Sequence, residues 1–183
     1  MKSEKTIIGI DPGTNILGFG IISIQGSSQK YIYSGIIDMR KISDHHLKLE
    51  KIFNSIIKII DKFRPDELAI EAPFYGKNVQ SMLKLGRAQG VVLGAAFSRS
   101  LTVFEYAPRK VKLAVTGNGN ASKEQVAIML TKYFKLKTIP EPLDATDAIA
   151  TALCHCFQNN ISYDDKGAKT WKEFISKNPK RVI

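Results

Sequence analysis

The 183 residues are 44% hydrophobic and 24% charged, with a formal net charge of +10 and a pI near 9.6. That length suits one domain with a full core and excludes two large lobes, and the composition excludes a disordered chain. The basic balance favours a polyanionic partner, nucleic acid before membrane, and the longest nearly unbroken apolar run, Val91 to Phe97, is too short to cross a bilayer. Two cysteines and a polar start, Met1 to Thr6, without a signal-peptide pattern argue against a disulfide framework and for a reducing cytoplasm.

Thr6 to Ile22 reads as a hairpin: Ile7, Ile8 and Ile10 suit a strand buried on both faces, Gly13 allows the reversal, and Leu17, Phe19, Ile21 and Ile22 follow as a second strand. A turn-rich Gln25 to Lys30 separates it from a third strand, Tyr31 to Asp38. His45 to Phe63 spaces Leu49, Ile52, Phe53, Ile56, Ile57, Ile60 and Phe63 on a helical stripe, which Arg64-Pro65 ends. Glu67 to Ala72 is a fourth strand, and Phe74 to Lys77 an exposed loop with aromatics. Val79 to Arg99 returns to helix, with Gly86, Gly90 and Gly94 spaced by four; each glycine costs about 1 kcal/mol there against alanine, so the row suggests that another backbone, in this chain or a second copy, comes close. Leu101 to Tyr106 is a fifth strand, Pro108 opens a short helix through Val115, Ser122 caps a helix to Phe134, and a small apolar helix runs from Asp144 to near Asn159. The expected organisation is an α/β domain over 1–160 and a basic tail over 161–183. Its sheet is five-stranded and mixed, an antiparallel meander followed by parallel strands, with flanking helices.

Four acids sit where apolar elements end: Asp11, Glu71, Asp144 and Asp147. Each has a plain explanation alone; Asp144 and Asp147 suit a capping box, and Asp11 before Pro12-Gly13 suits turn chemistry. Together, at ends the topology gathers, they require a counter-cation, and hard oxygen donors select Mg²⁺ or Mn²⁺. An acidic metal site in a basic chain is the pattern of phosphodiester hydrolysis, in which two ions about 3.5–4 Å apart activate water and stabilise the leaving oxygen. Arg109, Lys110, Lys112 and Lys123 flank the approach to Asp144 and suit nucleic-acid contacts.

The segments GIDPGTNILGFGII, AIEAPFYGKNVQSMLKLGRAQGVVLGAA, VFEYAPRKVKLAVTGNGNASKEQV and LDATDAIATALCHC, in this order, resemble RuvC-type Holliday junction resolvases along nearly the whole chain to about Phe157. The resemblance implies an RNase H-like fold, Mg²⁺, two per subunit with Mn²⁺ able to substitute, and a homodimer that cleaves two opposed strands of four-way junction DNA to give 5′-phosphate and 3′-hydroxyl ends. The family's metal-binding acids fall on Asp11, Glu71, Asp144 and Asp147, its basic active-site residues on Lys112 and Lys123, and its base-contacting aromatic on Phe74. Tyr75 and Lys77 belong to the same expected DNA surface, together with Arg109 and Lys110. The glycine-spaced helix falls on the dimer-interface helix, and a branch-migration complex of the RuvA and RuvB type is an expected partner. No match covers Tyr163 to Ile183.

Among nucleases the chemistry alone also suits an RNase H-like enzyme acting on RNA, and the family resemblance is what favours junction DNA; two rivals of other classes are weaker. GIDPGT also suits an actin-like or Hsp70-like ATPase, which needs a longer chain and a second phosphate loop; a non-catalytic junction-binding protein of RNase H-like fold has no need of four acids. Cys154, His155 and Cys156 point about 100° apart in succession on a helix, so they read as buried thiols with a polar-facing histidine rather than a metal motif. His45 and His46 carry no partner signal.

Overall fold

The computed structural model describes residues 4–73, 78–138 and 140–163, with side chains to residue 158. Its elements are β1 (Lys5–Asp11), β2 (Ile16–Gln25), β3 (Ser28–Asp38), α1 (His45–Phe63), β4 (Glu67–Glu71), α2 (Val79–Phe97), β5 (Thr102–Tyr106), α3 (Pro108–Thr116), α4 (Lys123–Tyr133) and α5 (Leu143–Tyr163). One five-stranded sheet has the order β3-β2-β1-β4-β5. β1, β2 and β3 pair antiparallel, and β4 runs parallel to both β1 and β5. This is the meander with parallel returns expected from the element order.

The central strands read as near-continuous apolar runs because helices cover both faces. On one face, Ile52, Ile56 and Ile60 of α1 and Ala88, Val92 and Ala95 of α2 pack against Ile8, Ile10, Leu68 and Ile70. On the other, α5 lies with α3 and α4 over Ile7, Ile22 and Ala69. Asp44 caps α1 through the Leu47 amide, and Arg64 ends it in the left-handed region at φ 46°.

Three details depart from the sequence reading. The expected turn-rich Gln25 to Lys30 is mostly strand, because Gly26, at φ 64°, closes a tight hairpin that pairs Gln25 with Ser28. Phe53 stays 40% exposed, one helical step off the buried Ile52–Ile56–Ile60 row. α5 continues to Tyr163, past the expected end near Asn159.

The glycines that matter to packing are not those of α2. An added Cβ at Gly86, Gly90 or Gly94 would meet nothing within 4 Å, so no described part of this chain approaches that row. A Cβ at Gly18 would instead lie 1.9 Å from the carbonyl oxygen of Asp144, at Gly9 2.1 Å from that of Ala148, and at Gly20 2.9 Å from the amide nitrogen of Ile149. Gly9 and Gly20 are direct cross-strand partners, and Asp11 pairs with Gly18. The strands thus present a bare strip on which the α5 backbone rests. Overpacking a rigid backbone contact costs at least about 1–3 kcal/mol, so Gly18→Ala and Gly9→Ala are expected to lose that much or more in denaturant unfolding. Wild-type stability in either variant would refute the close-approach account.

Candidate active site

Four elements deliver the site. β1 ends on Asp11 and β4 on Glu71, neighbouring parallel strands whose carboxyl ends lie side by side. α5 lies on the glycine strip with its first turns over Gly18, and Asp144 and Asp147, three apart, share one side of it. α4 adds Lys123, its first residue, fixed by a capping box in which Ser122 and Gln125 bond to each other's backbone amides.

Lys123 Nζ lies 2.6 Å from Asp147 Oδ2 and 3.6 Å from Asp144 Oδ1, with Asp147 only 13% exposed. The capping-box reading of Asp144 and Asp147 therefore fails: α5 begins at Leu143, so Asp144 stands inside the first turn, and both acids serve Lys123.

Burial first, then the charges of Glu71, Asp147 and Asp144, push the Asp11 carboxyl up to about 8 against the pull of Lys123. Burial and Asp147 push Glu71 up to about 7, opposed by Lys123 and Lys112. For Lys123, burial alone would lower the ammonium, but its hydrogen bond to Asp147 and the surrounding acids hold it above its ordinary value. The five groups plus Lys112 thus act on one another as one electrostatic unit. No three acid, histidine or cysteine side chains among the described residues are gathered tightly enough to hold a metal ion as they stand. The donor set nevertheless fits a hard divalent cation, being four half-buried carboxylates, two of which share the one ammonium of Lys123.

The remaining candidates lie elsewhere. The stem of Arg109 covers Gly119, and Lys110 Nζ sits 5.4 Å from the centre of the Tyr106 ring, so neither is among the groups acting on Asp11 or Glu71. Phe74, Tyr75 and Lys77 fall outside the described residues.

His155 corrects the sequence reading. It is fully buried, with Nδ1 2.6 Å from the Tyr106 hydroxyl and Nε2 2.7 Å from Glu67 Oε2. Burial lowers its pKa despite Glu67, so a neutral ring accepts from Tyr106 and donates to Glu67, which also pairs with Lys5. Burial pushes the Cys154 and Cys156 thiols up to about 11 and about 12, making them core rather than ligand groups. A helical pattern shows that His155 faces another way from its cysteines, but not that β4 and β5 put Glu67 and Tyr106 beneath it.

The family profile of crossover junction endodeoxyribonuclease RuvC matches residues 7–155. The chain is 55% identical over 181 residues to crossover junction endodeoxyribonuclease RuvC of Bacteroides fragilis, covering 98% of this chain and 96% of that one. It is 53% identical to the Cytophaga hutchinsonii protein of the same description, covering 98% and 88%. Among solved structures, Thermus thermophilus RuvC in complex with Holliday junction substrate matches with TM-score 0.80 and 31% identity, covering 86% of this chain and 96% of that one. The yeast mitochondrial Holliday junction resolvase Ydc2, at 12% identity, TM-score 0.61, and coverage of 90% and 83%, shares the fold. The fold is the RNase H-like one that the sequence resemblance implied.

Raised acids have a consequence for stability. Between the ordinary carboxylate range and about 8, folded Asp11 binds a proton that the unfolded chain releases, so νN exceeds νU and stability falls as pH rises through that window. Glu71 acts in the same direction up to about 7. Thermal unfolding in chelator is expected to show Tm dropping across this range, with the drop diminished in Asp11→Asn. A flat profile would contradict the burial and repulsion assigned to Asp11.

Proposed function

The chain belongs to the RuvC family of crossover junction endodeoxyribonucleases, and from that membership we propose that it resolves four-way DNA junctions by metal-dependent nicking of two opposed strands. The products are 5′-phosphate and 3′-hydroxyl ends. The observation that supports this most directly is the burial of Asp11 among other acids, which together raise its carboxyl to about 8 in a chain of net charge +10.

Asp11, Glu71, Asp144 and Asp147 are the proposed ligands of Mg²⁺, two ions per subunit, with Mn²⁺ able to substitute. Bound there, the cation would supply an activated water and stabilise charge on the departing 3′ oxygen. The chain's own groups do the rest. Asp11 and Glu71, fixed at adjacent strand ends, orient the attacking side. Lys123, held by its cap, balances Asp144 and Asp147, and Lys112, beside Glu71, faces developing phosphate charge. Phe74, Tyr75, Lys77, Arg109 and Lys110 complete the proposed DNA-binding set.

The proposed homodimer is supported by α2. Val79, Leu83 and Phe97 are 65%, 53% and 60% exposed and continue the row of Gly86, Gly90 and Gly94, which nothing in the described chain covers. A second copy seated there would relate two sites by a two-fold axis, as two symmetric nicks require. From family membership alone we extend the proposal to a branch-migration complex of the RuvA and RuvB type. No described helix is long and apolar enough to cross a membrane.

The primary test is cleavage of a four-way junction beside a linear duplex of the same sequence, with Mg²⁺ and with chelator. Paired nicks on opposed junction strands, only with metal, are expected. Asp11→Asn should retain junction binding and lose cleavage by at least about 10²–10³-fold, the scale of losing one preorganised transition-state contact. Binding by the wild type without cleavage would favour the non-catalytic alternative. For the dimer, Gly90→Leu should sediment as a monomer with unchanged circular dichroism; a wild-type sedimentation profile in that variant would refute the α2 interface.

A further inference from the structure

A second polar hollow opens at the carboxylate end of the sheet, on the face covered by α1 and α2 rather than by α5. Its volume is about 220 Å³, and its walls are the β1–β2 turn with Thr14 and Asn15, the start of α1 with His45 and Lys48, and the first turns of α2 with Ser81 and Lys84. No carboxylate among the described residues lines it. Asn15 lies four residues beyond Asp11 in the chain and Ser81 ten beyond Glu71, so the hollow and the acidic site both follow the carboxyl ends of β1 and β4.

Its chemistry is cationic and rich in donors. Lys48 Nζ donates to Asn15 Oδ1 at 2.6 Å, which holds the turn against α1 and leaves the ammonium with further protons to give. His45 Nε2 is buried with no hydrogen-bond partner among the described residues. An unmet buried polar atom costs about 1–3 kcal/mol, and such an atom in a native structure calls for an explanation. Burial first, and then nearby positive charge including Arg87, Lys84 and Lys48, lower the pKa of His45. A group entering the hollow meets positive charge from α1 and α2 together with the hydroxyls of Thr14 and Ser81. Exposed lysines alone would be a solvated surface; a concave site that joins them to an unsatisfied ring nitrogen favours an anion with several oxygens.

We propose that this hollow binds a backbone phosphate of the DNA substrate away from the bond that is cut, with Lys48, Lys84 and His45 Nε2 as its donors. The identification of the anion as DNA rests on the resolvase reading above; the phosphate chemistry does not. The site would grip the strand on the α1–α2 side while the acids act on the α5 side, setting the backbone's path over the β1–β2 turn. Its residues are positioning residues, since none reaches the acids.

The test is junction binding by the full chain in chelator, where no strand is cut. Lys84→Gln, at an exposed helical position, is the first variant, and His45→Gln the second. Lys84→Gln should lower the slope of log affinity against log salt by about 0.9, the loss of one phosphate contact. Neutralising junction phosphates one at a time as methylphosphonates should reveal a position, apart from the scissile phosphate, at which wild type loses affinity and both variants do not. Unchanged slopes and an unchanged methylphosphonate profile in both variants would overturn the site. Inorganic phosphate provides the other arm: amide shifts at Ser81 and Lys84 with free phosphate, without any methylphosphonate effect, would make this a small-anion site and overturn the DNA assignment. A wild-type chain that bound no junction would sink the functional reading and this site together, whereas a difference confined to the variants bears on the hollow alone.

Discussion

The close approach of α5 to the sheet is the constraint on which the rest depends. A helix normally stands off a sheet by the thickness of two side-chain layers; here Gly9, Gly18 and Gly20 remove one layer, and Ala148 and Ala152 thin the other. Backbone then meets backbone beside Asp11, and the first turn of α5 is carried to the strand ends. Side chains of ordinary size along that strip would hold Asp144 and Asp147 back from Asp11 and Glu71. Glycine weakens a strand interior, so a sheet that keeps three at its centre does so because of what must lie on top of them.

That contact concentrates negative charge at the sheet edge of a basic chain. The arrangement is unfavourable locally: burial and repulsion raise Asp11 and Glu71 well above ordinary carboxylates, and one ammonium, Lys123, is shared between two acids. The remainder of the fold offsets the strain through two apolar layers, one under α1 and α2 and one under α5, that clamp the strands from either side. A protein folded for stability alone would not carry such a cluster, and its presence is what supports the proposed cation site.

The two faces of the sheet divide the labour. The α5 face supplies the acids and their lysines. The α1–α2 face supplies the cationic hollow, and it exposes the uncovered row of α2 on which the proposed second copy sits. Because α2 follows β4 through one short connection, the proposed dimer contact and the acid at the end of β4 are mechanically close. A symmetric junction gripped by two copies would therefore find both reaction centres set by the same helix.

Much of this was determined by the sequence alone. Apolar patterning, with breakers and caps such as Pro108 and Ser122, marked the ten elements, because strand and helix burial impose periods of two and 3.6 that survive without any tertiary knowledge. Ser122 and Asp44 lie where caps belong, and Asp11, Glu71, Asp144 and Asp147 stood out because a charged residue ending an apolar run is conspicuous in one dimension. What the chain could not disclose was which elements touch. The evenly spaced glycines of α2 looked like the close contact, yet they face no described part of the chain, while the irregularly spaced Gly9, Gly18 and Gly20 line up only once two strands pair in register. His155 looked polar-facing until packing set it between Glu67 and Tyr106, far away in sequence. Local pattern records how each residue relates to its own element's axis; long-range contact depends on strand register and layer packing, and these are decided only when the whole chain closes on itself.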